Sequence, residues 1–136
     1  MTYSQIYDHF LEKVRKEVPV YHKNLGAGLS GFYDAFANHI VVNSRLKNTR
    51  RGLIVLAHEW THYRDRHDKK FVGFFTHDKR KYSKERMAEV IAAEQSAGIG
   101  AAKICKKYGK KYNPEETNLK ELPQLVKFWR KWYFYK

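Results

Sequence analysis

Leu53-Ile54-Val55-Leu56-Ala57-His58-Glu59-Trp60-Thr61-His62 is the stretch on which the reading of this chain turns. An apolar run leads into the pattern His-Glu-x-x-His. On an α-helix, side chains four positions apart leave the same face one turn apart, so the imidazoles of His58 and His62 can meet on a single ion. Two such nitrogens at about 2.0–2.1 Å make half of a tetrahedral zinc shell. Glu59 falls at the edge of that face, where its carboxylate reaches a water on the metal rather than the metal itself. That is the place of a general base. The bland alternative is an amphipathic core helix whose polar edge carries these residues by chance, a match expected by accident at roughly a few per cent in a chain of this length.

A catalytic site of this kind needs one more protein ligand, with the fourth position left to water. Three positions compete for it. Glu85 opens the pattern Glu85-x-x-Ala88-Glu89-x-x-Ala92-Ala93, which puts Glu85 and Glu89 on one helical face. Ala88 and Ala92 would leave room for close helix packing, with Glu85 on the metal and Glu89 accepting an outer hydrogen bond from a ligand histidine. His77, on the intervening loop, is the second candidate. Asp68 is the third and weakest, because Asp65 stands where an extended motif ending at Asp68 would need a glycine to turn the chain back.

Outward from the motif, the spacing predicts helices on both sides. Thr2 and Gln5 form a capping box, and Ile6, Phe10, Val14 and Val18 recur every fourth position up to Pro19. Leu29 to Tyr33 and His39-Ile40-Val41-Val42-Asn43, separated by a turn over residues 34–38, read as a β-hairpin. Its free edge is a candidate surface for an extended peptide backbone. Asn48 or Thr49 caps the motif helix, which runs to about Arg66. Ser83 caps a long helix with positions 87, 88, 91 and 92 facing inward, and Gly98 and Gly100 let it bend or let a neighbour approach. Gly109 ends it. Asn113-Pro114-Glu115-Glu116 is a helix start, and the aromatic, basic tail from Pro123 to Tyr135 reads as a terminal helix docked on the core.

With 136 residues and one cysteine, Cys105, the chain reads as a single domain over residues 1–136 that needs no disulfide. It shows no secretory leader and no apolar run of the roughly 20 residues that cross a bilayer, so a cytoplasmic protein is expected. Lys and Arg number 27 against 14 Asp and Glu, a formal charge of +13. Such an excess makes nucleic acid a candidate partner, although charge of this kind also serves solubility alone.

Taken in order, Ile40-Val41-Val42-Asn43, Leu56-Ala57-His58-Glu59-Trp60-Thr61-His62, Glu85-Arg86-Met87-Ala88-Glu89 and Ala92-Ala93-Glu94 resemble the ImmA/IrrE-type gluzincin metallopeptidases, over roughly residues 28–95. The resemblance implies a minimal zincin-like α+β fold: a small, mostly antiparallel sheet packed on the HExxH helix and on a following ligand-bearing helix. It also implies one zinc ion on His58, His62 and Glu85, Glu59 as general base, Glu89 in an outer position, and a specific protein or peptide substrate. Tyr63, His77 and Tyr82 are the candidate donors to the transition state. A weaker resemblance, to SprT-like proteases that act on DNA-linked proteins, rests on HExxH followed by His77 and on the basic charge. A zincin-fold binding module without catalysis, using the basic aromatic surface, is the reading from a different class.

Overall fold

The computed structural model describes residues 1–75, 80–114, 127, 129, 131 and 133–135. Helix α1 (Tyr3–Arg15) begins at the Thr2/Gln5 capping box and buries Ile6, Tyr7, Phe10, Leu11 and Val14. Four-residue recurrence puts these side chains on one face, and Val18, the last member of the series, is buried in the turn that follows. Strand β1 (Val20–Lys23) then pairs in parallel with β3 (His39–Asn43), Val20 opposite Ile40. Strand β2 (Gly31–Asp34) pairs with β3 in antiparallel fashion, Tyr33 opposite Ile40. The turn between them is held by the Asp34 carboxylate, which accepts from the backbone N–H groups of Phe36 and Ala37, and by Asn38 in the left-handed region at φ 53°.

The strand order is β1-β3-β2, so the sheet is mixed rather than mostly antiparallel. The Pro19 segment, read in sequence only as extended, is the cause. It forms β1, and β3, after reversing from β2, comes to lie beside it running in the same direction. Ile40, Val41, Val42 and Asn43 of the central strand are all buried, as expected where both neighbours and a helix cover a strand. Asn43 is satisfied there: its Nδ2 donates to the carbonyls of Gly26 and Leu29, and its Oδ1 accepts from the Arg45 backbone.

Helix α2 (Arg50–His67) carries the HExxH motif and starts at Thr49, whose hydroxyl accepts from the Gly52 N–H. Gly52 is there for packing: a Cβ would run into the Leu46 carbonyl. Leu53, Leu56 and Ala57 bury one face of α2 in the main core with α1 and the sheet. After the loop, strand β4 (Arg80–Lys81) pairs in parallel with β5 (Phe134–Tyr135), which brings the end of the chain beside the start of α3 (Lys84–Lys107). Helix α3 is capped by Ser83 and lies along α2. Among the described residues no helix is long and apolar enough to cross a membrane.

The buried face of α3 differs from the expected one. It comprises Met87, Val90, Ala93, Glu94, Ala97, Gly98, Ala101, Ile104 and Cys105, whereas Ala88 is exposed and Ala92 half-buried. Steps of three and four along 87, 90, 94, 97, 101 and 104 define that stripe, rotated away from the one centred on Ala88 and Ala92. Close approach to α2 comes from Gly100, where a Cβ would collide with the Thr61 side chain. Gly100→Ala should therefore cost about 1–3 kcal/mol, the usual penalty for overpacking. Pairing it with Thr61→Ala should recover part of the loss in thermal melts, and strict additivity of the two changes would show that they do not touch.

Candidate metal centre

Two turns of α2 and one position of α3 assemble the site. His58 and His62 leave α2 one turn apart, with ring centroids 4.9 Å apart and planes at 83°. Across from them, the Glu94 carboxylate spans both rings. Its Oε2 lies 3.1 Å from His58 Nε2 and its Oε1 3.2 Å from His62 Nε2. The potential ligand atoms of the three residues all lie within 4.8 Å of one another. Glu94 and His62 are buried, and His58 is partly open. The Nδ1 of His62 is buried with no hydrogen-bond partner among the described residues.

The group is close enough to hold a metal ion, and two imidazole nitrogens with one carboxylate are a donor set that catalytic zinc sites use. The three residues leave the fourth position to a water or substrate.

Glu59 stands beside this group without belonging to it. It is 8% exposed, with Oε1 4.0 Å from His58 Nε2, and the Tyr33 backbone of β2 faces it and favours its charged form. Burial pushes its carboxyl above the ordinary value, against the pull of His58 and His62. A carboxylate with a raised proton affinity, next to the ligands and not among them, is equipped to take a proton from a nearby water.

Of the residues expected from the sequence to hold a metal, the structure brings His58 and His62 together but not Glu85. Glu94, not Glu85, meets the two histidines. Glu85 is exposed in the first turn of α3, nine positions earlier, and nine steps of 100° put it on the opposite side of the helix. Glu89 is half-buried but turned to the loop, where its Oε1 accepts the Phe74 N–H at 2.8 Å. Through that contact it holds Phe74 against His62, ring centroids 5.1 Å apart. Asp68 is the exposed C-cap of α2, away from the cluster. Among the candidate donors, the Tyr63 hydroxyl points to the Glu17 carbonyl at 3.4 Å, and Tyr82 packs with Met87, Val90 and Trp129. His77 lies outside the described residues, as does most of the helix expected from Pro114. The residue that sequence reasoning did not single out is Tyr133, whose hydroxyl donates to Glu94 Oε1 at 3.1 Å. Burial, the charges of Glu94 and Glu59 and that hydrogen bond hold its phenol protonated far above the ordinary range.

Without metal, the cluster is an ion pair. Burial works against a charged His58, but the hydrogen bond and charge of Glu94, with Glu59, outweigh it and raise the imidazole from 6.5 to about 9. Glu94 shows the converse: burial would raise it, but His62 and His58 together hold it well below the usual carboxylate range. A group whose folded pKa is raised stabilises the fold fully below its unfolded pKa and loses that contribution as pH rises through the folded value. The chelator-treated protein should therefore lose thermal stability between about pH 6.5 and 9. Glu94→Gln should flatten that limb, and a wild-type melting curve insensitive to pH over this interval would show that His58 carries no such proton.

No protein-family model, curated protein or solved structure matches this chain.

Proposed function

We propose that this protein is a zinc-dependent metallopeptidase that hydrolyses peptide bonds in a specific protein substrate. The observation that carries the reading is the Glu94 carboxylate set 3.1 and 3.2 Å from the two histidine nitrogens of an HExxH helix, with Glu59 buried beside them and left out of the group. His58, His62 and Glu94 would hold the ion. When bound, zinc supplies Lewis acidity that activates a water and polarises a carbonyl. Glu59 would take the proton from the attacking water and deliver it to the leaving amine. Of the resemblance to the ImmA/IrrE-type gluzincins this reading keeps the HExxH helix and replaces the implied Glu85 by Glu94.

The sheet offers a place for the substrate backbone. Strand β2 is an edge, and Asn43 N–H bonds to the Ser30 carbonyl. From that pair the antiparallel alternation turns the backbone groups of Gly31 and Tyr33 away from β3, on the side where Tyr33 reaches Glu59. An extended peptide would pair with such an edge through its own main chain, which would bring its carbonyls toward Glu59.

A non-catalytic binding module would have no use for Glu59, whose burial beside Glu94 is electrostatically unfavourable. The test is elemental analysis of the purified protein together with a proteomic comparison of cells carrying the wild type or Glu59→Gln. One zinc per chain in both forms, with a distinct protein accumulating only beside the Glu59→Gln form, is the expected result. Chains that take up no zinc, or identical proteomes, would count against the assignment.

A further inference from the structure

We propose that Tyr133 is a positioning residue for Glu94, carried to the metal centre by the C-terminal segment and holding the carboxylate in the orientation that faces both histidines. The proposal rests on the metal-binding reading above. A glutamate in mid-helix reaches its target through three torsions, and the last of them, about the carboxylate, is broad and weakly restrained. Turning it would take Oε1 away from His62 and Oε2 away from His58. The carboxylate therefore needs an outer partner to fix its plane, and a carboxylate has lone pairs to spare for one. Among the described residues, the hydroxyl of Tyr133 meets that need, donating to Oε1, the oxygen that also faces His62.

The phenol is itself held in place. Its ring lies 5.0 Å from that of Phe74, with planes at 57°. Phe74 lies over His62 and gives its backbone N–H to Glu89. The contacts thus run from Glu89 on α3 through Phe74 and Tyr133 and return to α3 at Glu94, enclosing His62 on the way. One turn before Tyr133, Trp129 is buried against Met87 and Val90 of the same helix, and one residue after it, Phe134 pairs with Arg80. The C-terminal segment is anchored on both sides of the hydroxyl, so the donor is brought to Glu94 in a fixed geometry. Outer hydrogen bonds to metal ligands act through preorganisation: the ligand no longer loses freedom when the ion binds.

The test is zinc affinity measured by competition with a chromophoric chelator, beside melting of the metal-free protein. Tyr133→Phe keeps the ring on Phe74 and removes only the hydroxyl. It should weaken zinc binding roughly 10–100-fold, the usual scale for an outer partner, while the metal-free melting temperature stays close to wild type. The visible spectrum of the cobalt-substituted form should change as well, because the coordination geometry is less well held. Tyr133→Leu, which also removes the ring, should lose at least as much affinity and melt lower. Wild-type zinc affinity in Tyr133→Phe would overturn the proposal, whatever happens to hydrolysis, since the phenol would then act on something other than Glu94. Loss of affinity only in proportion to loss of fold would overturn it too, as a packing role. A wild-type chain that binds no zinc would remove the metallopeptidase reading together with this one, whereas zinc bound equally by wild type and Tyr133→Phe removes this one alone.

Discussion

Glu94→Ala should leave a folded protein that no longer retains zinc, while Glu85→Ala retains it in full. Glu94 is the carboxylate that faces both histidine nitrogens, so its removal leaves two ligands on a single helix turn. The loss in affinity should exceed the roughly 10–100-fold that follows removal of an outer partner. Folding is the competing explanation, because breaking a buried ion pair from one side can cost about 3–5 kcal/mol when a charge is left stranded. The groups left behind are His58, which is partly open to solvent and can shed its proton, and the buried Nε2 of His62, so the cost falls at the lower end of that range. Far-ultraviolet circular dichroism should therefore show intact helices in Glu94→Ala, and elemental analysis should show no zinc. Zinc retained by Glu94→Ala and lost by Glu85→Ala would reverse the ligand assignment.

Glu59→Gln should abolish hydrolysis without disturbing the metal. A general base of this kind contributes about 10²–10⁴-fold to the rate, and the amide that replaces it keeps the shape but cannot take up a proton. Metal content should be unchanged, since Glu59 lies outside the ligand group. Stability should be equal or higher, because burial already opposes the charged form of Glu59 and the amide has no charge to bury. The substrate for the assay is the protein that accumulates in cells carrying this variant. Near-native turnover of that protein by Glu59→Gln would falsify the general-base role.

Much of the scaffold was legible because it rests on local chemistry. The Thr2/Gln5 box, the Thr49 and Ser83 caps and the β-branched run of β3 each announce themselves over a few residues, and each appears as expected. His58 and His62 were legible for the same reason, their geometry being set within one helical turn. The acidic residue that meets them was not, because its identity depends on how two helices pack. The spacing Glu-x-x-Ala occurs three times along α3, at Glu85, Glu89 and Glu94, and nothing local separates them. What does separate them is the buried stripe Met87, Val90, Glu94, Ala97 and Ala101, in which Glu94 alone is acidic. A full reading of the helix period, rather than of the alanines nearest the first glutamate, would have found it. Tyr133 had no such signal: it reaches the site through tertiary packing of the chain's last residues, which no spacing encodes. The parallel pairing of β1 was hidden for a similar reason, because a four-residue strand next to a proline says nothing about its direction in the sheet.

Gly100 and Thr61 bring α2 and α3 together, and an ion at His58, His62 and Glu94 would join them a second time. The two helices would then close a ring through the segment from His62 to Glu94, with Phe74 inside it. Cross-links that close long segments act largely on the unfolded chain, by removing conformations it would otherwise explore. The metal would in this way double as a staple. Separation of α3 from α2 would then wait on ligand dissociation, and the slowest amide exchange in the molecule would belong to the two metal-bearing helices as much as to the central strand. Chelation would return those helices to the pace of the rest of the chain, so that one ion would govern both the chemistry proposed for the site and the lifetime of the helices around it.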